Sequence, residues 1–339
     1  MTRYVAAASA LMLVTTISAQ PRVGVPCALD TTQLAEPLKV DQKQIKAEAK
    51  QTIVGSGGTT FNITYFDVQD NSNQGFDHPS SGAARRGAFE RAVTYVGSIL
   101  DHDGTFNIWV LKNLSSIEPS IPDNTVLAYA KPVYQIFPFF TASDAWENIT
   151  QRKDLAPGQP ELYVFFEFDY NYFPGPGNVP FTQFDLETVA LHELMHGLGI
   201  ASFSNANGTS RASGPNRTFT TFDGNLWSAS PEVKLWDSDR VFQGPVGVLT
   251  EGDNQVYFRS DRAKEILGVY PPVFLVNPFD LSRSIGHWQD GNPIPLTTLM
   301  RPIYYNGEQI RELGPFELEI LRDLNYLIVE PDPELWILR

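Results

Sequence analysis

The stretch Leu191-His192-Glu193-Leu194-Met195-His196-Gly197-Leu198-Gly199 decides how the rest of the chain is read. His192 and His196 are four residues apart, so on an α-helix both rings project from one face as neighbours. Two neutral imidazoles at that spacing can hold one Zn²⁺ with Zn–N bonds of about 2.0–2.1 Å. Glu193 lies one step further round the helix. It can reach a water beside the metal without being a ligand, and can accept the proton that the metal makes acidic. A match of this length also arises by chance on an amphipathic helix. Against chance, the helix follows a β-rich half, ends in Gly197-Leu198-Gly199 and holds two of only five histidines in the chain.

Outward from this stretch the pattern alternates between β and helical signals. Asp185 suits the N-cap of the helix, Glu187 the positive end of its dipole, and Gly199 a left-handed turn after it. Upstream, Phe61–Val68, Phe106–Leu111, Val126–Tyr134 and Leu162–Phe168 read as strands. Gly82–Leu100 has helical spacing, with Phe89, Ala92, Val93, Val96 and Leu100 on one face. Downstream, residues 202–260 read as mostly irregular and Asp261–Leu267 as a short helix. Pro315–Leu324 reads as a better one, with Pro315 in its first turn. The expected fold is α/β: a twisted, mostly parallel sheet, a long packing helix, an active-site helix and a C-terminal helix. Residues 56–329 form one domain in this reading, and 330–339 a tail.

The N-terminus looks like an address. Arg3 precedes an apolar stretch, Val5–Ile17, too short to span a bilayer, and small residues Ser18-Ala19 end it, so residues 1–19 read as a cleaved secretory signal. Residues 20–55 are polar and broken and read as a pro-segment or N-terminal arm. Within them Asp41–Lys50 makes at best an exposed helix, and Gly55–Gly58 marks the boundary. Asn-x-Ser/Thr acceptor motifs occur at Asn62, Asn113, Asn148, Asn207 and Asn216, which in a signal-bearing chain suggests a secreted, extracellular glycoprotein. A net charge of −14, from 25 Lys+Arg against 39 Asp+Glu, argues against nucleic acid as a partner. No later run is long and apolar enough for a membrane helix.

Catalytic zinc usually takes three protein ligands and keeps one position open. His78 and His102 sit in turn-like contexts, which favours exposed loop roles. His287 remains, in Ser284-Ile285-Gly286-His287-Trp288, followed by Thr298-Leu299-Met300-Arg301-Pro302. His192, Glu193, His196 and Gly199 resemble the metzincin clan of zinc endopeptidases, whose motif is HExxHxxGxxH followed by a methionine turn. Ser202 stands at the final motif position, so the resemblance is to a metzincin with its third ligand displaced by a long insertion. It looks like a group of secreted microbial metalloproteases that pair an HExxHGLG helix with a later Ser-x-x-His segment and a Leu-Met-x-Pro turn. It covers roughly 61–327, and Gly82-Ala83-Ala84-Arg85-Arg86 and Leu321-Arg322-Asp323-Leu324-Asn325-Tyr326 fit it too.

The resemblance implies a zincin-like, metzincin-type fold, a single catalytic Zn²⁺ on His192, His196 and His287, and Glu193 as general base for hydrolysis of a protein or peptide substrate. It gives Met300 the place of an apolar floor beneath the metal, with Trp288 and Pro302 along the cleft. The alternative for Met300 and Trp288 is ordinary core packing. Tyr304 or Tyr305 could donate to an oxyanion, or could simply pack. Glu251 and Asp253 could bind Ca²⁺ or face solvent. The segment Pro21-Arg22-Val23-Gly24-Val25-Pro26-Cys27 is similar to a rearranged form of the pro-segment signal by which some metzincins keep a thiolate on the open zinc position. The other readings of this lone cysteine are a thiol buried in the core or one paired with another chain. The rival functions are a zinc aminopeptidase with a carboxylate third ligand, and a secreted protein that keeps a zinc scaffold without catalysis.

Overall fold

The computed structural model describes residues 22–29, 45–68, 74–112, 126–137, 139–212, 218–252 and 255–329. The expected signal (1–19), the tail (330–339) and Asn113, Asn216 and Asp253 lie outside them. The fold is α/β. Its centre is a six-stranded sheet of β2 (Ala28–Leu29), β6 (Ala128–Pro132), β8 (Leu162–Phe166), β5 (Thr105–Lys112), β4 (Thr60–Val68) and β3 (Ile45–Val54), in that spatial order. The sheet is mostly parallel, as expected, and mixed: β2 also runs parallel to β6. β4, β5 and β8 run parallel at its centre, while β3 and β6 are antiparallel to their neighbours β4 and β8.

One expectation about the chain before the helix motif is corrected. The charged stretch ending at Lys50 is no exposed helix. Ile45–Val54 is a strand paired with β4 from Ile45↔Val68 to Val54↔Thr60, and Gly55–Gly58 is the turn of that hairpin rather than a domain boundary. Its Ala, Lys and Glu residues favour helix locally, and pairing along a whole neighbouring strand overrides that preference. Residues 202–260 are mostly irregular, as expected, and within them Leu226–Ala229, Glu232–Lys234 and Val256–Phe258 form a small three-stranded antiparallel sheet.

One face of the six-stranded sheet carries α1 (Gly82–Ile99) and α3 (Leu186–Gly197), which pack on each other. α1 buries Phe89, Ala92, Val93 and Val96, the face its spacing gave. Every residue of α3 is buried, so it is a helix enclosed on all sides. Three ion pairs fasten its start: Arg311 Nη2 to the N-cap Asp185 Oδ1 at 2.7 Å, Arg91 Nε to Glu187 Oε2 at 2.6 Å, and Arg311 Nε to Glu187 Oε2 at 3.4 Å. At its end, a Cβ on Gly197 would stand 2.6 Å from Leu162 Cδ2, so only glycine lets the helix lie this close to β8. Gly199 then turns the chain away at φ +105°, a left-handed conformation that glycine adopts without strain. α2 (Asp144–Gln151), α4 (Asp261–Leu267) and α5 (Pro315–Asp323) complete the helices; α4 and α5 lie where the sequence expects them.

Candidate metal centre

His192 and His196 face one point from α3, and His287 reaches it from a loop. The ring centroids are 4.9 Å (His192–His196), 5.0 Å (His196–His287) and 5.1 Å (His192–His287) apart, nearly an equilateral triangle. One nitrogen from each lies within 4.8 Å of the others, and all three residues are fully buried.

The outer nitrogens fix which atom each ring offers. His196 Nδ1 lies 2.7 Å from Ile200 O and His287 Nδ1 2.8 Å from Arg283 O. His192 Nδ1 lies 3.1 Å from Leu299 O and 3.0 Å from the Tyr304 hydroxyl, which itself donates to Leu299 O. A carbonyl accepts only, so each Nδ1 carries the proton and each Nε2 presents a bare lone pair inward. Burial pushes the pKa of all three rings down, His287 to about 4, so they are neutral imidazoles. His192 Nε2 and His287 Nε2 are 3.2 Å apart. Two ligands about 2.0–2.1 Å from a shared tetrahedral ion stand about 3.3 Å apart. Two lone pairs facing each other at that distance, with no proton between them, repel, and a cation between them would relieve this. His196 Nε2 is buried without a hydrogen-bond partner among the described residues, as a vacant ligand atom would be. The cluster therefore fits a metal ion.

Glu193 is fully buried, and among the described residues neither carboxylate oxygen has a hydrogen-bond partner of ordinary length. Burial pushes its carboxyl well above the usual range. Facing it is Cys27, also fully buried: its Sγ, a His192 ring nitrogen and a Glu193 oxygen all lie within 4.8 Å of one another. Burial first, and then the neighbouring Glu193 carboxylate, push the thiol up.

Cys27 is carried there by an extended segment held on two sides. β1 (Gly24–Pro26) pairs antiparallel with the strand Ile303–Tyr305, matching Gly24 to Tyr305 and Pro26 to Ile303. Asn306 closes one end, its Oδ1 accepting from Val23 N at 2.9 Å. Beyond Cys27, Leu127 N donates to Pro26 O at 2.8 Å, and β2 pairs parallel with β6. The cysteine is thus in the core and against the metal cluster at once.

The other candidate residues divide. Ser202 is buried, its Oγ accepting from Ser204 N at 3.1 Å within the turn after α3. His78 Nδ1 accepts from Ser81 N at 3.2 Å ahead of α1, and His102 Nε2 accepts from Leu327 N at 2.9 Å; neither belongs to the cluster. Met300 and Pro302 are buried just beyond Leu299, whose carbonyl holds His192. Trp288 does not line a cleft. It is fully buried among Phe222, Phe258 and Phe316, with ring centroids 5.8–6.2 Å away, so core packing accounts for it. Tyr304 supports His192 from behind and is registered against Val25 of the N-terminal segment, while Tyr305 stands across from Gly24. Glu251 is exposed.

One supporting residue escaped the sequence reading. Glu317, fully buried on α5, accepts from Met300 N at 2.9 Å, Leu299 N at 3.2 Å and Gly314 N at 2.9 Å. It thereby fixes the turn that presents Leu299 O to His192. Its sequence signal was there, a Glu at the third position of a helix opened by Gly314-Pro315, but that signal points only to a local cap.

Compared with known proteins, the chain matches no family model, no curated protein and no solved structure.

Proposed function

We propose that this protein is a secreted zinc endopeptidase of metzincin type, made in a latent form. The observation that carries this reading is the extended segment Val23–Leu29. It lays a polypeptide backbone against the histidine cluster, with Gly24–Pro26 paired to Ile303–Tyr305 and Ala28–Leu29 paired to β6. A groove that binds its own chain as an added strand can bind a substrate peptide the same way once that segment leaves, with main-chain hydrogen bonds to β6 and to Ile303–Tyr305.

The donor set of three neutral imidazoles suits zinc and leaves one coordination position for chemistry. Bound there, zinc would polarise the scissile carbonyl and acidify an adjacent water. Glu193 would take a proton from that water and pass it to the departing amine. Leu299 O, Ile200 O and Arg283 O hold the three rings in their donor tautomers through both transfers. Cys27, against Glu193 and His192, would block base and metal together until the N-terminal segment is cut away. That would give the buried thiol a role beyond core packing.

The test is casein hydrolysis by the processed protein, with and without a chelator, beside Glu193→Ala. Chelation should abolish turnover and added Zn²⁺ restore it. The variant should keep one zinc per chain and lose roughly 10²–10⁴-fold in rate. A metal-loaded, processed protein that leaves every peptide bond intact, in wild type as in variant, would overturn the reading.

A further inference from the structure

Three acceptor motifs for N-linked sugar fall within the described residues, and their surroundings differ. Asn148 lies on α2, buried, with Nδ2 donating to the buried Glu161 Oε1 at 2.9 Å. Asn62 lies mid-strand in β4, with Nδ2 donating to Asn107 Oδ1 at 3.0 Å and Oδ1 accepting from Thr52 at 3.1 Å. Asn207 stands exposed at the tip of a turn closed by Asn205 N to Thr209 O at 2.8 Å and by the Ser204–Ser210 bridge. Its Oδ1 accepts from Thr209 Oγ1 at 2.6 Å and from Thr209 N at 3.1 Å, while its Nδ2 has no hydrogen bond among the described residues.

We propose that Asn207 is an N-glycosylation site and that Asn148 and Asn62 stay bare in the folded protein. The inference rests on the secretory reading of the N-terminus. The modification joins the Asn207 amide nitrogen to the anomeric carbon of a lipid-pyrophosphate-linked oligosaccharide. The nitrogen loses one proton and the lipid pyrophosphate leaves. The side chain's carbonyl, anchored by the motif's own Thr209, leaves that nitrogen outward and unspent. The turn is already formed by the chain's own bonds, so a bulky sugar there displaces nothing. At Asn148 the sugar would have to occupy the space between α2 and β5 and free a buried Glu161, whose carboxyl burial already pushes up to about 7. A chain modified there could not reach this fold.

The Asn207 turn also directly follows Ile200, the carbonyl partner of His196. Arg211, at the end of the same hairpin, donates to Leu281 O ahead of the His287 loop. A glycan at Asn207 would therefore shelter the junction between the two halves of the metal centre.

The experiment expresses the full chain in a glycosylating eukaryotic host in two forms, one with its own residues 1–19 and one with an established secretory leader in their place. Secreted protein is deglycosylated enzymatically in heavy-oxygen water and mapped by peptide mass spectrometry. The leader form should show labelled aspartate at 207 and unlabelled Asn148 and Asn62, and Asn207→Gln should lose one glycan by gel shift. Leader-form protein with a bare Asn207, or folded protein labelled at 148, overturns the inference. Secretion only in the leader form overturns the reading of residues 1–19 and leaves the Asn207 result to stand on the leader form.

Discussion

His192 and His196 stand on α3 and need only helical spacing to face one point, whereas His287 sits in a loop and is aimed by contacts from several segments. The helix half is held by its own backbone, by the Asp185 cap and by enclosure on every side. In the loop half, Trp288 N donates to Met300 O, Phe274 N to His287 O, and Glu317 collects the amides of Leu299 and Met300. Local order builds the first half; tertiary contacts build the second. A ligand on a loop gains more from the ion than a ligand on a packed helix, because more of its ordering entropy is met by that one bond.

The sharpest way to break this comparison is to remove one ligand from each side. Both His192→Ala and His287→Ala should lose zinc and turnover altogether, since two imidazoles do not make a stable site. The asymmetry should show in hydrogen exchange. Stripping the metal from wild type should speed exchange through residues 283–301 while α3 stays protected. Equal loosening of both would mean that α3 also depends on the ion.

The next largest effect tests what closes the site. Cys27→Ser, assayed before any processing, should raise peptidase activity of the intact chain from background towards that of the cut protein. A hydroxyl is a far poorer zinc ligand than a thiolate. The strand pairs of Val23–Leu29 remain in the variant, so activity should stop short of the processed level. Equal, background activity in both proforms would leave Cys27 as core packing and assign any latency to the strand pairs alone.

How much of this was legible in the sequence follows the same division. Helical spacing, an Asp cap and a Gly turn are local signals, and α3 formed where they said, with its ends within two residues. The convergence of His287 came from the order of three motifs in a resemblance, since nothing local to Ser284–Trp288 says where the ring points. Glu317 was invisible because a carboxylate in a helix's first turn reads as an exposed cap. Only the packing of α5 against the methionine turn shows that its partners are Leu299 and Met300. The strand Ile45–Val54 was missed because its composition is helix-forming and its partner is β4, beyond the range of any propensity. Trp288 was expected at the cleft because it adjoins a ligand, yet neighbours in a loop can point to opposite sides.

Glu317 offers a smaller effect that sharpens the loop half. Glu317→Gln keeps the shape but can accept fewer of the three backbone amides and brings an NH₂ against them. Leaving a buried donor unmet costs about 1–3 kcal/mol. Zinc affinity should fall roughly 10–100-fold, the usual cost of disturbing a group that orients a ligand. Stability in urea and zinc affinity should therefore fall together. A loss of stability with unchanged affinity would show that the turn does not aim His192.

The smallest effect lies far from the metal, where the C-terminal stretch is pinned by a histidine. His102 Nε2 accepts from Leu327 N, Asp101 N donates to Leu327 O, and Ile328 bridges to Leu100. Burial lowers the His102 pKa, with the charges of Asp101 and Asp103 opposing it. A histidine depressed in the fold takes up a proton more readily when unfolded. Its contribution is therefore complete above the unfolded value of about 6.5 and is lost as pH falls through the lower, folded value. Protonation puts a donor against the Leu327 amide, so the term is of the order of one hydrogen bond, about 1 kcal/mol or less at this partly exposed site. The three ligand histidines titrate in the same direction, so wild type alone cannot isolate it. The difference in urea stability between wild type and His102→Gln, both zinc-loaded, should be constant above pH 7 and shrink as pH falls below 6. A difference that stays flat across that range would mean that the Leu327 contact does not depend on the ring's lone pair.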